Sequence, residues 1–320
     1  MLRLDRLLTL YAFDPLGKLN PTKNPAIPIL MYHSVSNEPE TGHPYFWANT
    51  SSKRFTEHMH FLKENDYKVI SLTDAVKLLE DDSYMTNKLD KGDITKPYSS
   101  SSHVCKTPVF GDPHSTPCRY VVLTFDDGYY DFLKHAWTIL ENLGFRATIF
   151  VSTAFIGKSR KYFNGRQCLT WSEIRELHSH GVSFGSHTVS HSKLYGLKWK
   201  EVRRELLDSR LRLEDELQMP VPCFAYPYAF PQEDRSFVLH FRQELVDQGY
   251  RTAVTTTIGL AQRGSDPLCL KRLPMNEGDD RQLFKAKLVG AYNWLSWPQR
   301  MHKRLKSISA RKDMGWMKIG

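Results

Sequence analysis

Short apolar runs alternate with longer stretches of helical period along most of this chain. Ala26-Ile27-Pro28-Ile29-Leu30-Met31-Tyr32-His33 predicts a first strand, and Tyr67 to Ser71 a second. Between them Phe55 to Glu64 reads as a helix with Ser51, Ser52 or Thr56 near its start. Thr73 is placed to cap a further helix from Asp74 to Leu79. From Tyr120 the rhythm becomes regular. Tyr120 to Phe125, Ala147 to Val151, Val182 to Ser186, Cys223 to Tyr226 and Arg251 to Thr256 read as strands. The helices between them run Tyr130 to Leu143, Ser172 to His180, Trp199 to Gln218 and Phe237 to Gln248, and Gly144, Gly181 and Gly249 end three of them. This βαβα order argues a parallel α/β sheet or barrel.

Two stretches break the rhythm. Residues 81–118 are rich in Ser, Pro, Asp and Lys without periodicity, and predict an inserted, mobile surface loop. After Pro274, Phe284 to Leu295 is amphipathic, and Arg300, Lys303, Arg304, Lys306, Arg311, Lys312 and Lys318 follow against Asp313, with Trp294, Trp297 and Trp316 interspersed. The expected organisation is therefore an N-terminal segment over 1–25, one barrel over 26–275 and a basic extension over 276–320.

Chemistry concentrates where apolar runs end. Leu123-Thr124-Phe125-Asp126-Asp127-Gly128 carries two adjacent carboxylates out of a buried strand into a glycine turn. Burying carboxylates costs several kcal/mol unless a cation or hydrogen-bond donors compensate. His187-Thr188-Val189-Ser190-His191 supplies two imidazoles at i and i+4, which on one helical turn would share a face and grip one ion. Asp plus two His suits zinc, or another first-row divalent metal such as Co, Ni, Mn or Fe, with a position left for water. Either motif alone is more often an ordinary turn or surface helix. Together, each at the end of a strand-like run, they mark the edge where barrel enzymes place their chemistry.

Thr124-Phe125-Asp126-Asp127-Gly128, then Ser186 to Leu194, then Phe224-Ala225-Tyr226-Pro227-Tyr228 resemble, in order, the motifs of the polysaccharide deacetylase (NodB-homology) family, carbohydrate esterase family four. The resemblance covers roughly residues 25–275 and implies a distorted parallel (β/α) barrel. It also implies metal-dependent removal of the N-acetyl group of an amino sugar in a poly- or oligosaccharide, with release of acetate. Carried over, Asp126 is the general base, and Asp127, His187 and His191 are metal ligands. Tyr228 contributes its N–H to the oxyanion, and Tyr226 sits with it at the substrate. The Arg that many members carry three residues before the motif's last Tyr is Ala225 here, and Ala229 replaces a common Gly. Arg272 is then the candidate for orienting Asp126. The usual C-terminal source of the general acid is also absent. Met31-Tyr32-His33-Ser34-Val35 resembles the start of the biofilm-polysaccharide deacetylases, a subgroup of permuted motif order, which makes His33 the candidate acid and His302 the reserve. A non-haem iron oxygenase using an Asp/His/His facial triad, or a glycan-binding protein with a degenerate site, are the other readings.

Charge and cysteines narrow the setting. The 320 residues hold 44 Lys and Arg against 35 Asp and Glu, a formal net charge of +9. Such a surface suits anionic glycans, phospholipid headgroups or lipid-linked glycans, and peripheral contact with a membrane. The basic residues are scattered and no recognition motif appears, so nucleic acid is not an expected partner. Five cysteines without CxxC spacing suit a reducing compartment. Cys105 and Cys118, with His103 and His114, offer a zinc clip, although loop filler is the simpler reading. The first residues read as a short amphipathic helix rather than a leader peptide, and no run approaches the ~20 apolar residues of a membrane span. A cytoplasmic protein, peripheral at the inner membrane face, is expected.

Overall fold

In the computed structural model, which describes residues 3–19, 26–80 and 119–301, the apolar runs close into a ring. The parallel strands are β1 Ile29–Tyr32, β2 Tyr67–Val69, β3 Arg119–Phe125, β4 Thr148–Val151, β5 Ser183–Ser186, β6 Cys223–Ala225, β7 Thr252–Ile258 and β8 Leu270–Pro274. Seven of them follow one another around the barrel in chain order, and β8 pairs back onto β1 to close it. β2 lies outside the ring against the first half of β3. Two short N-terminal helices, Leu4–Leu8 and Asp14–Leu19, precede the helices of the barrel, which are α1 Ser52–Glu64, α2 Leu72–Glu80, α3 Trp137–Leu143, α4 Trp171–Ser179, α5 Trp199–Leu217, α6 Arg235–Asp247 and α7 Arg281–Leu288.

Burial on both faces explains why the strands read as near-continuous apolar runs. On β3, Val121, Leu123 and Phe125 join the large core between ring and helices. Val122 instead meets Ile29, Phe150, Val254 and Leu270 from strands around the ring, so this second cluster fills the barrel. α2 contributes Leu72, Ala75, Val76 and Leu79 to it and plugs the end where the strands begin. Gly185 makes room for that filling, because a Cβ there would lie 2.5 Å from the Phe150 ring.

The elements depart from expectation in a few places. Ser71, not Thr73, caps α2: its Oγ accepts from the Asp74 N–H at 3.0 Å. β8 was not anticipated as a strand, and neither was the hairpin Tyr162–Phe163 with Arg166–Gln167, which turns through Asn164 and Gly165. The amphipathic stretch after Pro274 docks on the barrel, with Leu283, Phe284, Leu288, Tyr292 and Leu295 in the large core. No helix among the described residues is long and apolar enough to cross a membrane. The 81–118 loop, its Cys105, Cys118, His103 and His114, and the basic stretch from His302 onward lie outside the described residues.

Candidate active site

Parallel register brings the ends of β1, β3 and β8 together. Met31 pairs with Thr124 and Tyr32 with Phe125, while Pro274 pairs with Met31. The Asp126 N–H continues this ladder onto the Tyr32 carbonyl at 2.9 Å. Its carboxylate is buried, and Arg272 of β8 holds both oxygens, Nη1 to Oδ1 and Nη2 to Oδ2, each at 2.7 Å. Arg272 is fully buried and spends its other donors on the Thr255 carbonyl (3.1 Å) and Thr124 Oγ1 (3.2 Å). A buried ion pair holds only when its remaining donors are satisfied in this way. Burial raises the carboxyl pKa of Asp126, but the guanidinium charge and its paired hydrogen bonds outweigh that and hold it well below the ordinary carboxylate range.

His33 follows β1 directly. Its Nε2 lies 4.0 Å from Asp126 Oδ2, and about a quarter of the side chain is exposed. That separation is too long for a hydrogen bond, and an atom set to one side of the line joining them can contact both at hydrogen-bond distance. The residues after His33 are pinned: Asp131 accepts from the Ser34 hydroxyl and from the Val35 N–H, and Asn49 Oδ1 accepts from the Ser36 N–H.

Asp127 turns the other way. It adopts a left-handed backbone (φ 73°), followed by Gly128 (φ 67°), whose missing Cβ would lie 2.7 Å from Val151. Asp127 Oδ1 faces His191 Nε2 at 3.2 Å and His187 Nε2 at 3.6 Å. These ligand atoms all lie within 4.8 Å of one another. His187 Nδ1 is 2.7 Å from the Ala225 carbonyl, which only accepts, so that nitrogen carries the proton and Nε2 offers its lone pair. Burial pushes the His187 pKa down to about 4, so the ring is neutral near pH 7. Asp127 Oδ1 is buried without a hydrogen-bond partner among the described residues. An orphaned carboxylate oxygen facing two imidazole nitrogens, one with its lone pair fixed toward it, fits a divalent cation.

The two histidines do not share a helical turn, which corrects the sequence expectation. They flank an irregular loop after β5, in which Thr188 (φ 71°) and His191 (φ 54°) are left-handed. Side chains compensate this unfavourable backbone. Ser152 Oγ donates to the His187 carbonyl (2.8 Å), and Thr188 Oγ1 accepts from the His191 N–H (2.9 Å). Glu205 of α5 accepts from the N–H groups of Val189 and Ser190, both at 2.9 Å, and from the Ser190 hydroxyl at 2.7 Å. Glu205 was not anticipated. It is one of many charges on a long polar helix, and nothing in the sequence ties it to the loop.

Tyr228 is also left-handed (φ 57°) and half exposed, with its ring 4.6 Å from that of His191. Thr256 Oγ1 donates to its carbonyl at 2.8 Å, while its N–H has no partner among the described residues. Tyr226 does not reach the site, again a correction. Its side chain is buried in an aromatic cluster against Phe230 (4.8 Å) and Phe241 (5.2 Å), and its N–H donates to the Val254 carbonyl. The structure thus gathers Asp126, His33 and Arg272 on one side of the pocket, and Asp127, His187, His191 and Tyr228 on the other. The hairpin adds an unforeseen wall, with Phe163 at 4.9 Å from the His191 ring.

The chain was compared with known proteins. The family model described as polysaccharide deacetylase matches residues 114–253. YxkH of Bacillus subtilis (strain 168), whose name places it among the polysaccharide deacetylases, is 29% identical over 266 residues, covering 83% of this chain and 77% of that protein. The deacetylase PplD of Streptococcus pyogenes, solved with acetate, superposes with a TM-score of 0.62 at 22% identity, over 83% of this chain and 99% of that one. IcaB of Ammonifex degensii follows at 0.56 and 18%, over 82% and 97%. At such identities these two structures establish the likeness of the barrel.

Proposed function

The chain belongs to the polysaccharide deacetylase family of amide-bond hydrolases, and on that premise we propose that it removes the N-acetyl group of an amino sugar in a poly- or oligosaccharide. One observation carries the reading: the Asp127–His187–His191 cluster lies beside an arginine-anchored carboxylate with an accessible histidine across from it.

In this proposal Asp127, His187 and His191 hold one divalent ion, zinc first among candidates. When bound it would supply Lewis acidity toward the acetyl carbonyl and lower the pKa of a water. Asp126 accepts a proton from the attacking water, its carboxylate oriented by Arg272. The Tyr228 N–H, without a partner among the described residues, donates to the oxygen that becomes negative as water adds to the carbonyl carbon. His33, protonated and opposite Asp126, gives its proton to the nitrogen as the C–N bond breaks, leaving acetate and a free amine. The paired Asp126–Arg272 unit supports hydrolysis over an iron oxygenase, which has no use for a second, arginine-bound carboxylate beside its triad. It also weakens the degenerate-site reading, since Arg272 reaches Asp126 where Ala225 cannot. Among the described residues Cys168, Cys223 and Cys269 form no disulfide, which supports a cytoplasmic setting, and the net charge of +9 supports an anionic polymer or lipid-linked glycan as substrate.

The test is acetate release from a panel of N-acetylated oligosaccharides, with metal content measured in parallel. Asp126→Asn and His33→Ala are expected to retain the metal and lose about 10²–10⁴-fold in turnover. His191→Ala is expected to lose both. Full activity of metal-free His191→Ala protein, or metal loss in Asp126→Asn with retention in Asp127→Asn, would overturn the assignment.

A further inference from the structure

His33 is joined on both sides to the segment that carries Asp126 and Asp127. Before it, the Tyr32 carbonyl accepts from the Asp126 N–H at 2.9 Å. After it, Asp131 accepts from the Val35 N–H with Oδ1 at 3.3 Å and from the Ser34 hydroxyl with Oδ2. Asp131 lies shortly beyond Asp127, at the head of the helical turn Phe132–Ala136 that runs into α3. An aspartate at a helix N-cap ordinarily accepts from N–H groups of its own first turn. Asp131 stands at that position and makes no such bond. Its carboxylate, 14% exposed, is spent instead on the two residues that follow His33.

The turn that bears Asp131 is itself braced. The Tyr130 N–H donates to the Gln167 carbonyl at 2.8 Å and the Leu169 N–H to the Gly128 carbonyl at 2.9 Å, which ladders the turn to the chain leaving the hairpin. Phe132 is buried with its ring edge-on to Phe125 at 4.7 Å. Arg166 of the hairpin closes the enclosure, its Nη1 3.1 Å from Ser36 Oγ and 3.6 Å from Asp131 Oδ2. Asn49 also holds the residues after His33, through Ser34 Oγ at 2.8 Å and the Ser36 N–H at 3.1 Å. Its strand, Asn49–Thr50, bears no reacting group, whereas Asp131 shares a turn with the base and a ligand. We propose that Asp131 is the positioning residue of the general acid: it ties the chain after His33 to the turn that carries Asp126, and so sets where the imidazole stands relative to the base. The proposal rests on the reading of His33 as the acid of a deacetylase. His33 Nε2 is 4.0 Å from Asp126 Oδ2, and proton transfer to the leaving nitrogen needs contact at about 3 Å. Without Asp131 the chain after His33 keeps Asn49 and loses its link to the turn. A displacement of about 1 Å at a reacting group can cost about 10²-fold in rate.

The experiment measures acetate release from the N-acetylated oligosaccharide that the parent hydrolyses fastest, together with zinc content and the NMR ring resonance of His33, assigned by its loss in His33→Ala. Asp131→Ala is expected to keep its zinc and to lose about 10–10²-fold in kcat with KM unchanged. In the His33→Ala background the same substitution should cost nothing more, because residues that act as a unit are not additive. Asp131→Asn should restore most of the rate, since its oxygen accepts from the Val35 N–H and its amide can donate to Ser34 Oγ. The His33 resonance should shift or broaden in Asp131→Ala and stay near its parent position in Asp131→Asn. Should Asp131→Ala not melt cooperatively, Ser34→Ala, which removes one of the two donors, is expected to show a smaller loss of the same pattern. Parent turnover with an unmoved resonance in these variants, a full further loss on top of His33→Ala, or an asparagine variant as slow as alanine would each overturn the proposal while His33→Ala stays slow. Parent turnover in His33→Ala would instead overturn the acid assignment, and this proposal with it. Acetate release by no form, with a resonance that still moves in Asp131→Ala, would sink the deacetylase reading and leave the tether on His33 standing.

Discussion

Replacing Arg272 by Met tests whether the site's acid–base side is built on one ion pair. The substitution conserves volume but leaves the Asp126 carboxylate buried without the guanidinium that holds both its oxygens at 2.7 Å. Removing one partner of a buried pair typically costs about 3–5 kcal/mol, because the other charge stays desolvated. Two unit charges about 4 Å apart attract by about 4 kcal/mol at an effective dielectric of about 20, the same size. The donations to the Thr255 carbonyl and Thr124 Oγ1 are lost as well, at about 1 kcal/mol each. Urea unfolding of chelator-treated protein at pH 7.5 is the assay, so that bound metal does not enter the comparison. Arg272→Met should be less stable by about 5–7 kcal/mol. Adding Asp126→Asn, which removes the stranded charge, should recover at least about 2 kcal/mol. A loss under about 1 kcal/mol in the single variant, or strict additivity in the double, would show that the pair is not the anchor described.

Two further outcomes follow from groups away from the reacting atoms. His58 Nε2 donates to the Asp279 carbonyl at 2.6 Å and Nδ1 accepts from the Tyr32 hydroxyl at 3.0 Å, and burial pushes its pKa from 6.5 down to about 4. The folded state therefore resists protonating it. Its contribution is complete above about pH 6.5 and should fall away by about 3 kcal/mol as pH drops toward 4; urea midpoints that hold steady for the parent, or fall equally in His58→Gln, would contradict this. Glu205→Ala should weaken metal binding about 10–100-fold by competition titration, with Glu205→Gln restoring most of it because the amide can still satisfy the Val189 and Ser190 backbone; undiminished affinity in the alanine variant would show the loop holds without the clamp.

The chemistry was legible where an apolar strand delivers a polar group at its end, as at Asp126, Asp127 and His187. β8 was not, because Lys271 and Arg272 interrupt its apolar run, and Arg272 is an interior residue whose charge makes sense only opposite Asp126. Positive φ at Thr188 and His191 leaves no trace in residue type, so the i, i+4 spacing suggested a helix that does not form. Tyr226 was misplaced because strand alternation turns it outward into the aromatic cluster at the very step where its neighbours reach the mouth. The N-terminal helix was foreseen as amphipathic, but its facing depends on Arg3 and Asp5 meeting Asn276, Asp279 and Tyr292 from the far end of the chain.

Ring closure between β1 and β8 has a consequence for how the molecule comes into being. Leu30 pairs with Leu273 across almost the whole length of the barrel sequence, a contact of high sequence separation and thus late in folding. The ligand set and its supports, from Asp127 after β3 through Ser152, His187, His191 and Glu205 to Ala225 of β6, come from one contiguous stretch of the chain. The base with its arginine, and the histidine across from it, wait for the first strand to meet the last. During synthesis, the part of the pocket that collects an ion is thus emitted and able to order well before the part that moves protons.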